Sequence, residues 1–585
     1  MDDLAQAARR WGVEPGYYDI SGHWHGIAEP TLRKIVDALS KGRSGPAALP
    51  AANLEQRAFQ GDGDRVWGLA VQLYAVRSTR NWGIGDFGDL RTIVKIAADS
   101  GASVVGLNPL HALFLDRPAM ASPYAPNSRL FLNPLYIAVD AIDDGHDFPQ
   151  LADEVAAVRG TDLVDYRRVA QLKVAALRLA YDRFLLRRSD EETAGFEEFR
   201  AVRGDSLRRF ACFEALRARF GGTSWRDWPQ PWSNPDQDVI EELRRTASRE
   251  CGFFEFLQWV ADRQLAQCRQ DAADRGLSVG LYLDLAVGVD PAGADAWANQ
   301  DAVLAGLSIG APPDDFTPSG QNWGLAPFNP HSLADNNFAT MRQLLSSAMR
   351  HAGAVRLDHV LGLMRLFLVP EGASAAQGAY VRFPFEQLLC VIADESNKHR
   401  CIFIGEDLGT VPDGFRETSA RWGVWTYRVM MFERRQDGGF KPPSDYPAEA
   451  VATFNTHDLP TFRGWMSGKD LSAKRAIGVD PGETDDARRR SQTELRRTLG
   501  PVAGDNGPEH FAAAAGFLAA TPSRIVTVAI EDLLDVVEQV NVPGTVDQHP
   551  NWRRKLPVMV ENWPEQPIFC AAVAAFDHAG RGRRR

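Results

Sequence analysis

The chain has 585 residues, of which 44% are hydrophobic and 24% charged, a balance typical of a globular protein with a full apolar core. Its length allows one very large domain or about two to four ordinary ones. The formal net charge of -11 at pH 7 argues against a nucleic-acid-binding protein, which normally carries a basic patch.

The N-terminus lacks the positive start and apolar stretch of a secretory signal, and no segment approaches the ~20 apolar residues of a membrane helix. The six cysteines are widely spaced, without a Cys-x-x-Cys pair or a neighbouring histidine cluster. Buried free thiols are therefore expected, rather than disulfides or metal ligands. These features predict a cytoplasmic protein that uses no metal ion or other cofactor.

The N-terminal region is predicted to be helical up to about residue 45, because apolar residues such as Leu4, Ala8 and Trp11 recur at helical spacing. Residues 41–52 are rich in Gly, Pro and Ala and are typical of a linker. We therefore divide the chain into an N-terminal helical segment with its linker, residues 1–60, and a catalytic domain, residues 61–585.

After Asp64 the pattern changes to short apolar segments that alternate with helices. Eight segments have the near-continuous apolar character of strands buried on both faces of a parallel sheet: residues 66–73, 104–107, 277–284, 354–358, 401–405, 426–431, 451–454 and 525–529. Eight such strands with helical crossovers predict an α/β protein with a (β/α)8 TIM barrel. Helical patterns at about 140–275 and 467–522 are too long for single crossovers and predict insertions, and the basic end of the chain, residues 580–585, is expected to be disordered.

A charged pair interrupts the strand predicted at 354–358. Arg356 and Asp358 are two residues apart, so in a strand they point to the same side. An adjacent guanidinium holds a carboxylate ionised, as a nucleophile requires. From these residues alone, a structural ion pair is an equally good interpretation.

Two further acidic residues follow predicted strands. Glu406 lies where an apolar strand breaks at Gly405, and partial desolvation there would raise its pKa, as suits a general acid. Asp458 ends an Asn-Thr-His-Asp run directly after the strand at 451–454, and such polar groups are costly to bury without a purpose. A structural glutamate and a helix N-cap are the respective alternatives. Catalytic groups of such barrels gather at the carboxyl ends of the strands, so the three acids together predict an active site.

Taken in chain order, these motifs resemble those of the α-amylase superfamily, and specifically of the 4-α-glucanotransferases, the amylomaltases of glycoside hydrolase family 77. The resemblance runs from about Val66 to Leu556. Other stretches that carry it are Gln72-Leu73-Tyr74, the run from Asn81 to Leu90, Ser122-Pro123-Tyr124, Gly320-Gln321-Asn322-Trp323-Gly324, Asn541-Val542-Pro543-Gly544-Thr545 and Asn551-Trp552-Arg553. Gln377-Gly378-Ala379-Tyr380 and Arg421-Trp422-Gly423-Val424-Trp425 look like the longer bacterial branch.

The resemblance implies a retaining transglycosidase that moves part of an α-1,4-glucan to glucose or to a maltooligosaccharide. Asp358 would be the nucleophile that forms a covalent glucosyl intermediate, Glu406 the acid/base and Asp458 the stabiliser of the transition state. A retaining enzyme needs two carboxyls about 5–5.5 Å apart, which adjacent strand ends can provide. The implied substrate contacts are Arg356, His457, Asp284, the Tyr124 platform, Trp323 on a flexible loop over the cleft and Tyr74, for which core packing is the alternative.

The loop at residues 314–323, with Gly320 and Gly324 as hinges, would exclude water and so favour transfer over hydrolysis. An α-1,4-glucan hydrolase of the same superfamily is the first alternative function, and a non-catalytic glucan-binding protein is the second.

The run Met364-Arg365-Leu366-Phe367-Leu368 has fewer aromatic rings than the family pattern, which would weaken a sugar subsite or repack a helix. The region between the N-terminal helices and the first barrel strand is also short, whereas many relatives of this branch carry an extra β-rich domain there. No nucleic-acid or membrane partner is expected, and the sequence indicates no oligomeric state.

Overall fold

The computed structural model describes residues 2–19, 22–142, 148–313, 319–500 and 508–582, and these ranges contain sixteen β-strands and nineteen α-helices. The strands are β1 (Gly16–Tyr18), β2 (Trp24–Gly26), β3 (Val66–Val71), β4 (Val104–Leu107), β5 (His111–Ala112), β6 (Ser128–Leu132), β7 (Gly280–Leu285), β8 (Leu307–Ala311), β9 (Gln321–Leu325), β10 (Ala354–Leu357), β11 (Arg365–Pro370), β12 (Ala379–Arg382), β13 (Ile402–Gly405), β14 (Trp425–Val429), β15 (Ala450–Thr453) and β16 (Ile525–Ala529).

The helices are α1 (Asp2–Arg10), α2 (Glu29–Ser40), α3 (Phe87–Asp99), α4 (Ala152–Arg159), α5 (Tyr166–Arg187), α6 (Asp190–Arg219), α7 (Gln237–Thr246), α8 (Ser248–Asp274), α9 (Ala294–Ala298), α10 (Pro330–Asp335), α11 (Ala339–Met349), α12 (Phe385–His399), α13 (Phe415–Arg421), α14 (Phe462–Ser467), α15 (Lys469–Ala476), α16 (Asp485–Leu499), α17 (Pro508–Ala520), α18 (Ile530–Leu533) and α19 (Pro567–His578). Among the described residues, no helix is both long and apolar enough to span a bilayer.

The centre of the molecule is a closed barrel of eight parallel strands in the order β3-β4-β7-β10-β13-β14-β15-β16, with β16 pairing back onto β3. These are the eight strands predicted from the apolar segments, so the predicted (β/α)8 barrel is confirmed. Most of their residues are buried, since one face of each strand lines the barrel interior and the other packs under the helices. Gly353 precedes β10 where a Cβ atom would lie 1.7 Å from the carbonyl oxygen of Val279, so the two chain segments can approach this closely only at a glycine.

A second, antiparallel sheet with the strand order β12-β11-β8-β9 lies in the segments that follow β7 and β10. It shares an apolar core with the N-terminal helices, in which Ala8, Trp11 and Ile35 pack with Ile309 and Leu368. The N-terminal region is not purely helical as expected, because β1 and β2 form an antiparallel hairpin between α1 and α2. The run at 364–368, taken from the sequence as part of a helix, is mostly the strand β11.

The long connection between β6 and β7 contains α4 to α8, and the one between β15 and β16 contains α14 to α17. The six cysteines are all free; four are buried, but Cys570 is exposed, contrary to expectation. In the described part of the chain, no group of three or more His, Cys, Asp or Glu residues is placed to hold a metal ion.

The prediction that residues 580–585 form a disordered tail is wrong for residues 580–582. Residues 583–585 lie outside the described ranges. Arg581 is 2% exposed and donates hydrogen bonds to four backbone carbonyl oxygens, at 2.6 to 3.1 Å. One acceptor is Val66, the first residue of β3. The others are Ala519 near the end of α17, and Thr521 and Ser523 in the segment that leads into β16. The guanidinium therefore ties the C-terminus to the amino ends of β3 and β16.

We predict that Arg581→Ala lowers the free energy of unfolding by about 2–3 kcal/mol, because buried carbonyls lose a charged donor. The urea-unfolding midpoint, followed by circular dichroism, measures the change. The control is Arg33→Ala, which removes an exposed ion pair with Glu29 and should cost less than about 0.5 kcal/mol. Equal midpoints for the two variants would show that Arg581 does not stabilise the barrel.

Candidate active site

The predicted acidic residues lie at the carboxyl ends of barrel strands. Asp358 directly follows β10, Glu406 directly follows β13, and Asp458 lies in the turn after β15. The pairing of Leu357 with Gly405 makes Asp358 and Glu406 the next residues along two neighbouring strands. Parallel pairing therefore brings two carboxyl groups to one edge of the barrel.

Arg356 is the cation at the centre of this edge and is 8% exposed. Its Nη1 donates to both carboxylate oxygens of Asp284, at 2.8 and 2.7 Å, and its Nη2 donates to Oδ1 of Asp358 at 3.0 Å. The register sets these contacts, because Arg356 on β10 pairs with Asp284 on β7. The guanidinium thus orients one carboxylate on its own strand and one on the neighbouring strand.

Glu406 is held by backbone groups rather than by a cation. The N–H of His359 donates to Oε2 at 2.9 Å, and the N–H of Leu408 donates to Oε1 at 2.8 Å. His359 adopts a left-handed backbone conformation, with φ of 49°. That conformation is strained for a residue other than glycine, and it lies directly between Asp358 and a turn of 3-10 helix, where such strain is often functional.

Asp458 is held from the segment after β16. The side-chain amide of Asn541 donates to its Oδ1 at 2.6 Å, and the side-chain amide of Gln539 donates to its backbone oxygen at 2.8 Å. Nε2 of His457 lies 3.3 Å from its Oδ2. The side chain nevertheless remains 45% exposed, so one part of the carboxylate faces the open cleft.

Aromatic rings line the same side of the cleft. The Tyr124 hydroxyl donates to Oδ2 of Asp284 at 2.6 Å, and its ring stacks on His457 with a centroid distance of 4.7 Å. Trp552 packs against both rings, at 5.5 and 5.2 Å. This arrangement offers a flat apolar surface beside polar groups, the composition typical of small-molecule sites.

The cleft continues inward as a cavity of about 80 Å³. Its lining includes the predicted residues Tyr124, Asp284, Arg356 and His457, together with Gln72, Tyr282, Tyr427, Asn455 and Glu531. Oε1 of Gln72 and Oη of Tyr282 are buried, yet neither has a hydrogen-bond partner among the described residues. Such oxygens are costly to bury unpaired, so they favour a polar ligand in this cavity.

The acids near Arg356 titrate above their ordinary range. Burial raises the pKa of Asp358 to about 6; Glu406 and Asp284 add to the rise, while Arg356 opposes it. The guanidinium therefore does not lower this pKa overall, as a lone Arg–Asp pair would, but the group is still largely ionised at pH 7. Burial also raises the pKa of Glu406, against Arg356 and its two backbone donors.

His457 and Asp458 shift in opposite directions. Partial desolvation in the cleft alone would raise the pKa of Asp458, but His457 and the hydrogen bond from Asn541 lower it overall. Burial alone would lower the pKa of His457, and Asp458 raises it instead. The pair therefore favours an ionised carboxylate beside a protonated imidazole.

Trp323 does not lie on a flexible loop. It belongs to β9, which pairs with β8, and a bulge between Ile309 and Gly310 contains Trp323 and Gly324. Gly324 has a left-handed φ of 69°, as bulges of this kind require. The bulge directs the indole to His359, with ring centroids 5.1 Å apart, so Trp323 extends from the second sheet to the residue that follows Asp358. Residues 314–318 of the expected loop lie outside the described residues.

Tyr74 is 2% exposed and packs in the main apolar core, and it is absent from the described lining of the cavity. This placement supports the alternative of core packing.

Several site residues were not predicted individually: His359, Asn541, Trp552 and Glu531. Glu531 carried a usable signal, because an acidic pair follows the apolar strand β16 just as Glu406 follows β13. The left-handed conformation of His359 had no such signal.

The fold and site define a barrel enzyme in which paired carboxyls face a polar, aromatic-lined cleft, as in enzymes that act on glycosidic bonds. A family model described as 4-alpha-glucanotransferase matches residues 71–560. A Mycobacterium bovis 4-alpha-glucanotransferase is 36% identical over 92% of this chain and 78% of its own length. One from Haemophilus influenzae is 35% identical over 84% of this chain and 75% of its own. The chain therefore belongs to the 4-alpha-glucanotransferase family, whose members are transglycosidases.

Solved structures agree with this assignment. Amylomaltase from Corynebacterium glutamicum superposes with a TM-score of 0.85 at 26% identity, covering 98% of this chain and 99% of that one. An amylomaltase from Streptococcus agalactiae, solved in complex with acarbose, has a TM-score of 0.74 at 19% identity and covers 89% of this chain and all of its own. At 19% identity, this second likeness concerns the fold alone.

We predict that Asp284→Asn moves the acidic limb of the pH profile of kcat/KM to lower pH. Asp284 raises the pKa of Asp358, and removing its charge also frees Arg356 to stabilise the ionised Asp358. Both effects have the same sign, so the limb, expected near pH 6 in the unmodified enzyme, moves down. The exposed Asp62→Asn serves as control. A limb that stays in place or moves up would contradict the charge coupling.

We also predict that Asn541→Ala lowers kcat by about 10- to 100-fold, the value of a hydrogen bond to a charged group. Without the amide, Asp458 loses a contact that orients it and lowers its pKa. Steady-state kinetics measure the effect against Asn336→Ala, an exposed amide on a helix end. If Asn541→Ala changes kcat no more than this control, Asn541 does not act on Asp458.

Proposed function

We propose that this enzyme transfers a segment of an α-1,4-glucan to glucose or to a maltooligosaccharide by a retaining double displacement. The observation that carries the proposal is the pair of carboxyls on neighbouring strand ends, where Arg356 orients Asp358 and the His359 N–H orients Glu406. Leu357 pairs with Gly405, so the two groups directly follow neighbouring strands, and attack and proton transfer on one glycosidic bond need two such carboxyls.

In the first step an oxygen of Asp358 attacks the anomeric carbon of the donor. The bond from that carbon to the leaving 4-oxygen breaks as Glu406 donates its proton to that oxygen, which leaves as the shortened chain with a free hydroxyl. The raised pKa of Glu406 supports this role, because the acid must hold a proton near neutral pH. Asp358 remains largely ionised under the same conditions.

In the second step Glu406, now ionised, takes the proton from the 4-hydroxyl of the acceptor sugar. That oxygen attacks the anomeric carbon and displaces Asp358, which restores the carboxylate and both starting protonation states. Two inversions at one carbon leave the new bond in the α configuration. The products are a lengthened acceptor and a free enzyme.

Asp458 stabilises the positive charge that develops on the sugar ring, and its lowered pKa keeps it ionised for this purpose. His457 donates to a sugar hydroxyl while it balances that carboxylate. Tyr124 provides the ring surface on which the sugar packs, with its own hydroxyl bound to Asp284.

Transfer requires that an acceptor reaches the intermediate before water does. We expect Trp323 to help exclude water, because its ring packs on His359, the residue next to Asp358. A hydrolase of the same superfamily would use the same three acids, so the reaction products distinguish hydrolysis from transfer.

We predict that the enzyme converts maltotriose into glucose and a ladder of longer maltooligosaccharides, seen by thin-layer chromatography. Glucose and maltose alone would indicate a hydrolase. Asp358→Asn should lose turnover by about 10⁴-fold or more while keeping the circular dichroism spectrum of the unmodified enzyme. The exposed Asp37→Asn is the control, and wild-type activity in Asp358→Asn would refute the nucleophile assignment.

A further inference from the structure

Among the 15 tryptophans and 11 tyrosines, only Tyr18 and Trp24 are exposed, at 67% and 54% of their surface. They lie next to each other, with ring centroids 4.9 Å apart and ring planes inclined by 60°. Large aromatic rings are normally kept from water by the fold, so an adjacent exposed pair calls for an external ligand or partner.

The hairpin β1–β2 holds these rings on its outer face. Tyr18 pairs with Trp24 and Gly16 with Gly26, so these four residues share one side of the hairpin. The indole lies over Gly16, where a Cβ atom would come within 2.2 Å of Cζ2 of Trp24. The two glycines therefore leave room for a ring that lies flat against the backbone.

The inner face of the hairpin fixes it to the body of the enzyme. Tyr17 is buried and meets Phe367 on β11 and Tyr380 on β12 edge to face, both at 5.8 Å. His25 stacks on Tyr17 at 5.3 Å, and its Nε2 lies 2.8 Å from Asp19. The outer rings are thus mounted on the same sheet that carries Trp323 to the catalytic cleft.

The polar atoms of the pair are free to bind. Neither Nε1 of Trp24 nor the hydroxyl of Tyr18 makes a hydrogen bond to any residue in the described ranges. A sugar unit has one face of C–H groups that packs on an aromatic ring and a rim of hydroxyls that accepts or donates at its edge. Successive units of an α-1,4-glucan are inclined to one another, which matches two rings that are inclined rather than coplanar.

We propose that Tyr18 and Trp24 form a surface platform that binds an α-1,4-glucan chain away from the catalytic acids. The proposal rests on the proposed function for the identity of the ligand. The platform holds polymeric donors or acceptors near the cleft. A trisaccharide is too short to gain from a remote contact and binds in the cleft alone.

The test compares the unmodified enzyme with Tyr18→Ala/Trp24→Ala. Retardation in native gels containing glycogen should weaken, with the apparent dissociation constant rising roughly tenfold, equivalent to about 1.4 kcal/mol. KM for long-chain amylose should rise as well, while kcat/KM for maltotriose stays unchanged. Leu186→Ala, which removes an exposed apolar side chain from α5, is the control and should change none of these.

Gly16→Ala gives a second, independent variant. It keeps both rings but adds a methyl group where the indole lies, so it should weaken glycogen retardation without affecting maltotriose kinetics.

Unchanged retardation and unchanged amylose KM in the double variant would overturn the platform. So would a dimer of the unmodified enzyme, seen by sedimentation, that dissociates in the double variant while glycogen binding persists, since the rings would then bind a second copy. If the unmodified enzyme made no maltooligosaccharide ladder, the proposed function would fail, yet glycogen retardation would still decide whether the platform exists.

Discussion

Arg356 is the cation on which the catalytic end of the barrel depends. Its guanidinium is almost fully buried and binds Asp284 and Asp358 together, within a group of acids that also includes Glu406. Burial raises the pKa of Asp358 and that of Glu406, neighbouring acids add to the rise, and Arg356 opposes it. The same contacts therefore give the acids their orientation and their proton affinity.

The closed parallel barrel is what brings these groups together. The β7–β10–β13 register places Asp284, Arg356 and the residues after Leu357 and Gly405 side by side, although they are far apart in the chain. A second layer then restrains each group: the strained turn at His359 for Glu406, and Asn541 for Asp458. The antiparallel sheet adds Trp323 from one edge and is joined by the N-terminal hairpin near the other.

The sequence was most informative where chemistry and periodicity coincide. Eight apolar segments predicted the barrel strands, and acids directly after them predicted which side chains meet, because parallel strands present their carboxyl ends at one edge. It was least informative where tertiary contacts decide. The short strand β8 pairs with the distant strand β11, and the buried Arg581 in a basic tail depends on carbonyls from other elements. The left-handed φ of His359 follows from the turn it must make. Tyr74 shows the same limit, since its motif does not distinguish a core ring from a cleft ring.

Trapping a covalent bond between Asp358 and the sugar tests the proposed double displacement most directly. In Glu406→Gln, an activated donor such as α-maltosyl fluoride needs no acid to release fluoride, but the acceptor lacks its base, so the glycosyl–enzyme should accumulate. Mass spectrometry of the acid-quenched, digested protein should then find one maltosyl unit on the peptide that contains Asp358. An adduct on Asp458, or fluoride release with no adduct at all while the variant remains folded, would contradict the account.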